Sequence, residues 1–143
     1  MKVILAAINA KYIHSNLAVR YLKSFAEKKL TEEKDILTEN GSGCAAVIET
    51  AEYTINQQKE EIIADLYRRQ PDVLAFSCYI WNMGYVEFLV RDFHRICPHT
   101  DIWLGGPEVS YDAPELLNKY PQVTGVMRGE GERVFTDLMM AYS

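Results

Sequence analysis

The sequence predicts an α/β fold in which one parallel β-sheet is covered by helices on both faces. Five apolar segments of strand length alternate along the chain with amphipathic segments of helical period. The first segment, residues 3–8, is apolar without interruption, as is typical of a parallel strand buried on both faces. Glycines or small polar residues follow the segments at 73–76, 102–104 and 123–127, which indicates loops gathered at one sheet edge.

The first half of the chain contains two predicted strands and two predicted helices. Ser15 or Asn16 is placed to cap the first helix, which we expect to end near Leu30. The apolar residues of this helix, at spacings of three and four, are Leu17, Tyr21, Leu22 and Phe25. Residues 31–43 are polar and contain glycine, so they predict a loop before a second strand at 47–53. A second helix is predicted at 57–69, ending before Pro71.

The second half repeats the alternation three times. The third strand is predicted at 73–76, the fourth at 102–104 and the fifth at 123–127. The helix after the third strand ends at Pro98, and its buried stripe is Val86, Leu89, Val90, Phe93 and Cys97. A short helix is predicted at 114–120, and the inner face of the last helix is Phe135, Leu138, Met139 and Tyr142.

Right-handed crossovers between these elements give a doubly wound five-stranded parallel sheet. The simplest strand order is the flavodoxin-like (Rossmann-like) order 2-1-3-4-5, in a three-layer α/β/α architecture. The ligand crevice of such a sheet lies near the ends of the first and third strands.

Length and composition limit the class of protein. A chain of 143 residues with 48% hydrophobic residues fits one domain, residues 1–143, with a sizeable core. The net charge of -5 argues against nucleic acid as a partner, because such binding depends on clustered Lys and Arg. No apolar stretch approaches the roughly 20 residues that span a bilayer, so no membrane partner is expected.

The cysteines and the N-terminus indicate a cytoplasmic protein. Cys44, Cys78 and Cys97 are odd in number and far apart, which favours reduced thiols over a disulfide framework. No Cys-x-x-Cys pair or Cys/His cluster is present to hold a metal, and Met1 leads into a strand without a cleavable signal.

The loop after the fourth strand is a candidate binding loop. Gly105 and Gly106 leave space for a ligand to approach the backbone, and Pro107 fixes the chain so that Glu108 is presented from a defined position. A tight turn without a ligand explains the same residues equally well.

The loop after the fifth strand opens the last helix. Gly129, Glu130 and Gly131 precede that helix, whose amide-rich N-terminus suits an oxyanion or an amide carbonyl of a ligand. Plain helix capping is the alternative. A dinucleotide fingerprint is excluded, because the glycines follow the last strand and Val134 replaces the third glycine.

Two aromatic and several small polar residues follow the third strand. Tyr79 and Trp81, with Ser77, Cys78 and Asn82, suit a large flat ligand better than a phosphate alone, although either ring can instead pack in the core. We interpret Cys78 as an inert packed thiol, because no base neighbours it in the sequence.

The loop after the first strand completes the candidate site with polar residues. These residues are Asn9, Ala10, Lys11, Tyr12, His14 and Ser15. His14 has a side chain that can ligate a metal, but a capping or surface histidine is the favoured interpretation, and no metal ligand is predicted.

Together the four loops resemble the N-terminal cobalamin-binding domain of cobalamin-dependent radical SAM proteins, a group that includes anaerobic magnesium-protoporphyrin IX monomethyl ester cyclase. The resemblance covers nearly the whole chain. It implies a corrinoid held across the strand ends, with its nucleotide tail entering the crevice toward Gly105, Gly106, Gly129 and Glu130.

The sequence departs from related families at two points. The Asp-x-His-x-x-Gly motif of cobalamin mutases is absent, and by position Lys11 stands where its histidine would be. We therefore expect no protein ligand to cobalt from that motif, and the lower cobalt ligand stays open. The Cys-x-x-x-Cys-x-x-Cys motif of a radical SAM barrel is also missing.

The resemblance predicts a domain that catalyses nothing alone. In a longer parent it would present cobalamin to a radical SAM domain that uses S-adenosylmethionine and a [4Fe-4S] cluster, for methyl transfer or radical cyclisation. The alternative is a corrinoid-free, flavodoxin-like interaction or regulatory module. The sequence leaves the substrate and the oligomeric state open.

Overall fold

Five strands and five helices alternate along the chain in this computed structural model, which describes residues 1–10, 17–37, 46–79, 81–109, 113–129 and 131–142. The elements are β1 (Lys2–Asn9), α1 (Leu17–Leu37), β2 (Val47–Thr54), α2 (Lys59–Arg69), β3 (Val73–Ser77), α3 (Met83–Ile96), β4 (Asp101–Gly105), α4 (Ala113–Lys119), β5 (Gly125–Val126) and α5 (Gly131–Tyr142). All neighbouring strands are parallel and their order is β2-β1-β3-β4-β5. The predicted doubly wound, flavodoxin-like sheet is therefore confirmed.

Each face of the sheet buries a separate hydrophobic cluster. On one face, α2 and α3 cover alternate residues of the central strands, including Ile4, Leu74 and Phe76. On the other face, α1 and α5 cover Val3, Leu5 and Ala75. Because both faces of β1 are covered, its residues 3–8 are all buried, which explains why this strand is apolar without alternation.

The first helix differs from the prediction in its length and in its buried face. It ends at Leu37 and not near Leu30, because no Gly or Pro interrupts residues 17–37 and the Lys29–Glu32 ion pair supports the added turns. Val19 and Ala26 provide its fully buried contacts, whereas Tyr21 is 57% exposed. The part of the predicted loop at 38–43 lies outside the described residues.

The last strand is shorter than the predicted segment 123–127. Only Gly125 and Val126 form strand, opposite Trp103 and Leu104 of β4. The Trp103 ring lies against Gly125, since a Cβ placed on Gly125 would lie 2.3 Å from the ring. Glycine is therefore required at this position by the bulk of its neighbour.

The helices give no indication of a membrane span. Within the described ranges, none of them combines the length and the apolar character needed to cross a bilayer.

Candidate functional site

The ends of the three central strands lie side by side at one edge of the sheet. Ala7 of β1 is paired with Ser77 of β3, and Ser77 is paired with Gly105 of β4. The loops that follow these strands therefore leave the sheet from adjacent positions, and the predicted convergence of the loops after β3 and β4 is present.

Asn82 joins two of these strand ends from within the protein. Its side chain is fully buried, and its Nδ2 donates to the carbonyl oxygens of Ile8 at 3.1 Å and Ser77 at 2.9 Å. Its Oδ1 accepts a hydrogen bond from the backbone N–H of Tyr79 at 2.8 Å. Three bonds to the backbone engage the amide, so Asn82 positions the loop after β3.

The loop after β4 packs directly on the loop after β3. The backbone N–H of Cys78 donates to the carbonyl oxygen of Gly105 at 2.7 Å, and the N–H of Glu108 donates to the carbonyl oxygen of Cys78 at 3.4 Å. Gly106 has a φ of 107°, and a Cβ there would lie 2.5 Å from the carbonyl oxygen of Cys78. The contact between the two loops thus requires glycine at position 106.

The thiol of Cys78 is fully buried beneath this contact. Burial in the apolar core raises the pKa of the Cys78 thiol to about 12, with a smaller contribution from the negative charge of Glu108. A thiol that stays protonated at neutral pH is a poor nucleophile, in agreement with the interpretation of Cys78 as a packed residue.

The two aromatic residues after β3 stack on each other. The ring centroids of Tyr79 and Trp81 are 4.5 Å apart and the planes differ by 6°. Trp81 is 50% exposed, whereas Tyr79 is partly buried and lines a cavity. Neither ring belongs to the buried core, so the stacked pair forms a partly exposed apolar platform at the loop edge.

A cavity of about 350 Å³ lies beneath these loops, between the sheet and helices α1 and α5. It extends from the glycine loops to Leu5 and Ala75, which stand in the middle of their strands. Its volume is near the lower end of the range of small-molecule pockets, ~300–1,000 Å³. The cavity therefore suits a group of nucleoside size, and it is too small for a corrin macrocycle.

The walls of the cavity are mostly apolar. Among the described residues its polar side chains are those of Ser77, Tyr79 and Glu132, and no Lys, Arg or His contributes. At its rim, Gly131 begins α5 against Leu22 of α1. The arrangement favours a largely apolar ring system that carries a few hydrogen-bonding groups.

The structure brings seven of the predicted binding residues to this cavity. They are Ser77, Tyr79, Gly105, Gly106, Pro107, Gly129 and Gly131. Five more stand at the same edge without lining the cavity: Asn9, Ala10, Cys78, Asn82 and Glu108. Trp81 does not line the cavity but stacks on Tyr79, which does. The predictions for Lys11, Tyr12, His14, Ser15 and Glu130 lie outside the described residues.

Sequence reasoning missed the walls of the cavity. The missed residues are Leu5, Ala18, Val19, Leu22, Ala75, Phe76, Met127 and Glu132. Most are apolar, and the spacing of apolar residues in a sequence is the same whether they pack against other side chains or line a cavity. The available signal was two small residues, Ala18 of α1 and Ala75 of β3, both of which line the cavity.

The fold and the cavity define a ligand-binding α/β domain whose site lies at the carboxyl edge of a parallel sheet. The B12 binding domain family matches residues 3–139, and the chain belongs to this family. Cobalamin is the cofactor that this membership supports, as the resemblance of the four loops implied.

Three curated relatives match about half of the chain. One is the cobalamin-dependent radical SAM methyltransferase TokK of Streptomyces tokunonensis, 34% identical over 70 residues, or 49% of this chain and 10% of TokK. A second is the 2-(S-pantetheinyl)-carbapenam-3-carboxylate methyltransferase of Streptantibioticus cattleyicolor, 37% identical over 73 residues, or 49% of this chain and 10% of that enzyme.

The third relative is the anaerobic magnesium-protoporphyrin IX monomethyl ester cyclase of Cereibacter sphaeroides. It is 26% identical over 83 residues, which are 58% of this chain and 14% of the cyclase. The matched region thus spans only 10–14% of the length of these curated relatives.

A solved structure supports the fold independently. A cobalamin-binding protein from Desulfitobacterium hafniense superposes with a TM-score of 0.62 over 99% of this chain and 58% of its own, at 10% identity. At this identity the likeness shows the fold alone.

The residues of the site fit one end of cobalamin. The apolar cavity has the volume and lining for the benzimidazole nucleoside, and the glycines at its mouth let a connecting chain pass close to the backbone. The corrin ring exceeds the cavity, but the exposed Tyr79–Trp81 platform offers it an apolar surface outside.

Proposed function

We propose that this chain binds cobalamin at the carboxyl edge of its sheet and presents it to a radical SAM catalytic domain. The observation that carries the proposal is the apolar cavity, which runs from the glycine loops to Leu5 and Ala75 in the middle of the sheet. Membership in the B12 binding domain family gives this cavity its candidate ligand.

In the proposed complex the nucleotide end of cobalamin enters the cavity. Leu22 and Met127 supply apolar contact to its rings, and the partly buried hydroxyl of Ser77 is available for a hydrogen bond. Tyr79 and Trp81 hold the side of the corrin ring near the loop after β3. Asn9 and Ala10 stand at the same edge, and Lys11, Tyr12, His14, Ser15 and Glu130, which lie outside the described residues, stay predicted binding residues in this proposal.

The proposed partner is a radical SAM domain in the same parent protein or in a separate chain. Two curated relatives are methyltransferases and one is a cyclase, and each is far longer than the matched region. The cobalt of bound cobalamin supplies the methyl-transfer or radical chemistry. S-adenosylmethionine and a [4Fe-4S] cluster belong to the proposed partner domain, and the assembly is proposed to be cytoplasmic.

The proposal is tested by titrating the chain with hydroxocobalamin and methylcobalamin and recording absorption spectra after gel filtration. Co-elution of the corrinoid with a base-off spectrum is expected, because a nucleotide held in the cavity cannot also reach the cobalt. Absence of a bound corrinoid at high micromolar concentration would refute the proposal for the isolated chain and favour the interaction-module alternative.

A matched pair of variants tests the location of the site. Ala18 lines the cavity from α1, whereas Ala64 on α2 is also exposed but lies on the other face of the sheet. Ala18→Trp narrows the cavity and should abolish binding, and Ala64→Trp should bind as the parent chain does. Ala75→Leu fills the inner end and should have the effect of Ala18→Trp, with the fold monitored by circular dichroism. Equal binding by all three variants would place the ligand elsewhere.

A further inference from the structure

Glu132 is a carboxylate without a protein partner on the wall of the cavity. It lies in the first turn of α5 and is partly buried. Within the part of the chain that the structure describes, its side chain has no hydrogen bond or ion pair, and only its backbone oxygen accepts a bond, from the Thr136 hydroxyl at 2.6 Å. Other partly buried carboxylates are paired, as Glu52 is with Arg20 at 2.9 Å.

A carboxylate on the wall of the cavity with no protein partner among the described residues is free to accept a hydrogen bond from a ligand. Among the described lining residues no cationic side chain is present to offset the charge of Glu132. Glu132 itself supplies a negative charge in the first turn of α5, where an anionic ligand would otherwise be favoured. The cavity is thus unfavourable for a phosphate and favourable for a neutral hydrogen-bond donor.

We infer that Glu132 is a specificity-determining residue that accepts a hydrogen bond from a ribose hydroxyl of the cobalamin nucleotide. The ribose and its base then lie inside the cavity, and the phosphodiester stays at the glycine-lined mouth. This inference rests on the proposed function. It predicts that the site distinguishes corrinoids with a nucleoside from corrinoids without one, through a contact made by a single side chain.

The test compares cobalamin with cobinamide, which has the same corrin ring but no nucleotide. Affinities of both are measured by quenching of tryptophan fluorescence for the parent chain, Glu132→Gln, Glu132→Ala and Asp137→Asn. Asp137 is an exposed acid on the same helix, so Asp137→Asn makes the same change of net charge without touching the cavity.

Glu132→Ala should weaken cobalamin binding about tenfold or more, the usual value of a hydrogen bond to a charged group. Glu132→Gln, which keeps an acceptor oxygen, should weaken it less. Neither variant should change cobinamide binding, and Asp137→Asn should change nothing.

Three results would overturn the inference. Tighter cobalamin binding by Glu132→Gln would mean that the phosphodiester faces the carboxylate. Equal weakening for cobinamide would mean that Glu132 contacts the corrin amides, and unchanged affinity for both would mean that it contacts neither. If the parent chain binds no corrinoid, the proposed function itself fails, and this inference with it.

Discussion

Removal of the Asn82 side chain should destabilise the whole domain. The amide makes three buried hydrogen bonds, two donated to the strand-end carbonyls of Ile8 and Ser77 and one accepted from the N–H of Tyr79. Because each such bond contributes about 1 kcal/mol, we expect Asn82→Ala to lower the free energy of unfolding by about 3 kcal/mol. Unfolding in urea, followed by circular dichroism, measures this value.

The variant Asn82→Asp should destabilise the domain in a pH-dependent way. At pH 7 a carboxylate in this place faces two carbonyl oxygens, so Asn82→Asp should destabilise at least as strongly as Asn82→Ala. Burial beside these oxygens raises the pKa of the new carboxyl above its unfolded value of about 4. The stability of Asn82→Asp should therefore fall as pH rises from that unfolded value to the raised folded value, and its deficit should be smallest below the unfolded value.

The control is the exposed residue Asn118 on α4, where Asn118→Ala should change the free energy of unfolding by less than about 0.5 kcal/mol. A loss of under about 1 kcal/mol for Asn82→Ala, with an unchanged dependence on urea, would show that these hydrogen bonds do not hold the strand ends together.

Four further predictions concern residues in the second half of the chain. Gly106→Ala should lower stability by 1 kcal/mol or more, at about the level of other strained left-handed positions, since its Cβ would meet the Cys78 carbonyl oxygen; a wild-type melting temperature would contradict this. Cys78 should resist iodoacetamide at pH 8 while the partly exposed Cys97 reacts, as peptide mapping by mass spectrometry can show. Because burial raises the pKa of Cys78 from 9.0 to about 12, stability should decline as pH rises through that interval, and less so in Cys78→Ala. Tyr142→Phe should cost about 1–2 kcal/mol, because its hydroxyl bonds Asp101 at 2.6 Å; an unchanged urea midpoint would count against that bond.

The sheet order was predictable because each strand carries its own signal. Residues 3–8 are apolar throughout, and amphipathic helices follow the strands, as α3 follows β3 with Val86, Leu89, Val90 and Phe93 buried at a period of 3.6 residues. The end of α1 was missed because residues 31–35 are polar yet contain no helix breaker, so a solvated helix and a loop look alike there. The length of β5 was predicted wrongly because β5 is an edge strand. Within the described residues, only Gly125 and Val126 pair with β4, and no strand pairs with the other side of β5.

The site was predictable only in its loops. Glycines such as Gly106 are recognisable because the backbone there needs a conformation that other residues avoid. The role of Asn82 was not recognisable, because a side chain that binds a ligand and one that binds backbone carbonyls have the same chemistry. Glu132 was missed for a similar reason, because an acid in the first turn of a helix suits plain capping as well as ligand binding, and only the absence of a described partner distinguishes it.

The cavity lies on one face of the sheet only, so we expect the helices on the two faces to separate locally from the sheet at different free-energy costs. The face under α2 and α3 is filled by side chains, including Leu89 and Phe93, whereas the face under α1 and α5 has a cavity at one end. Missing contacts lower the cost of local separation, so amide protons of α1 and α5 should exchange with solvent sooner than those of α3. A ligand that fills the cavity would supply those contacts. Its binding should therefore slow the hydrogen exchange of the amides in α1 and α5, the two helices that enclose the cavity.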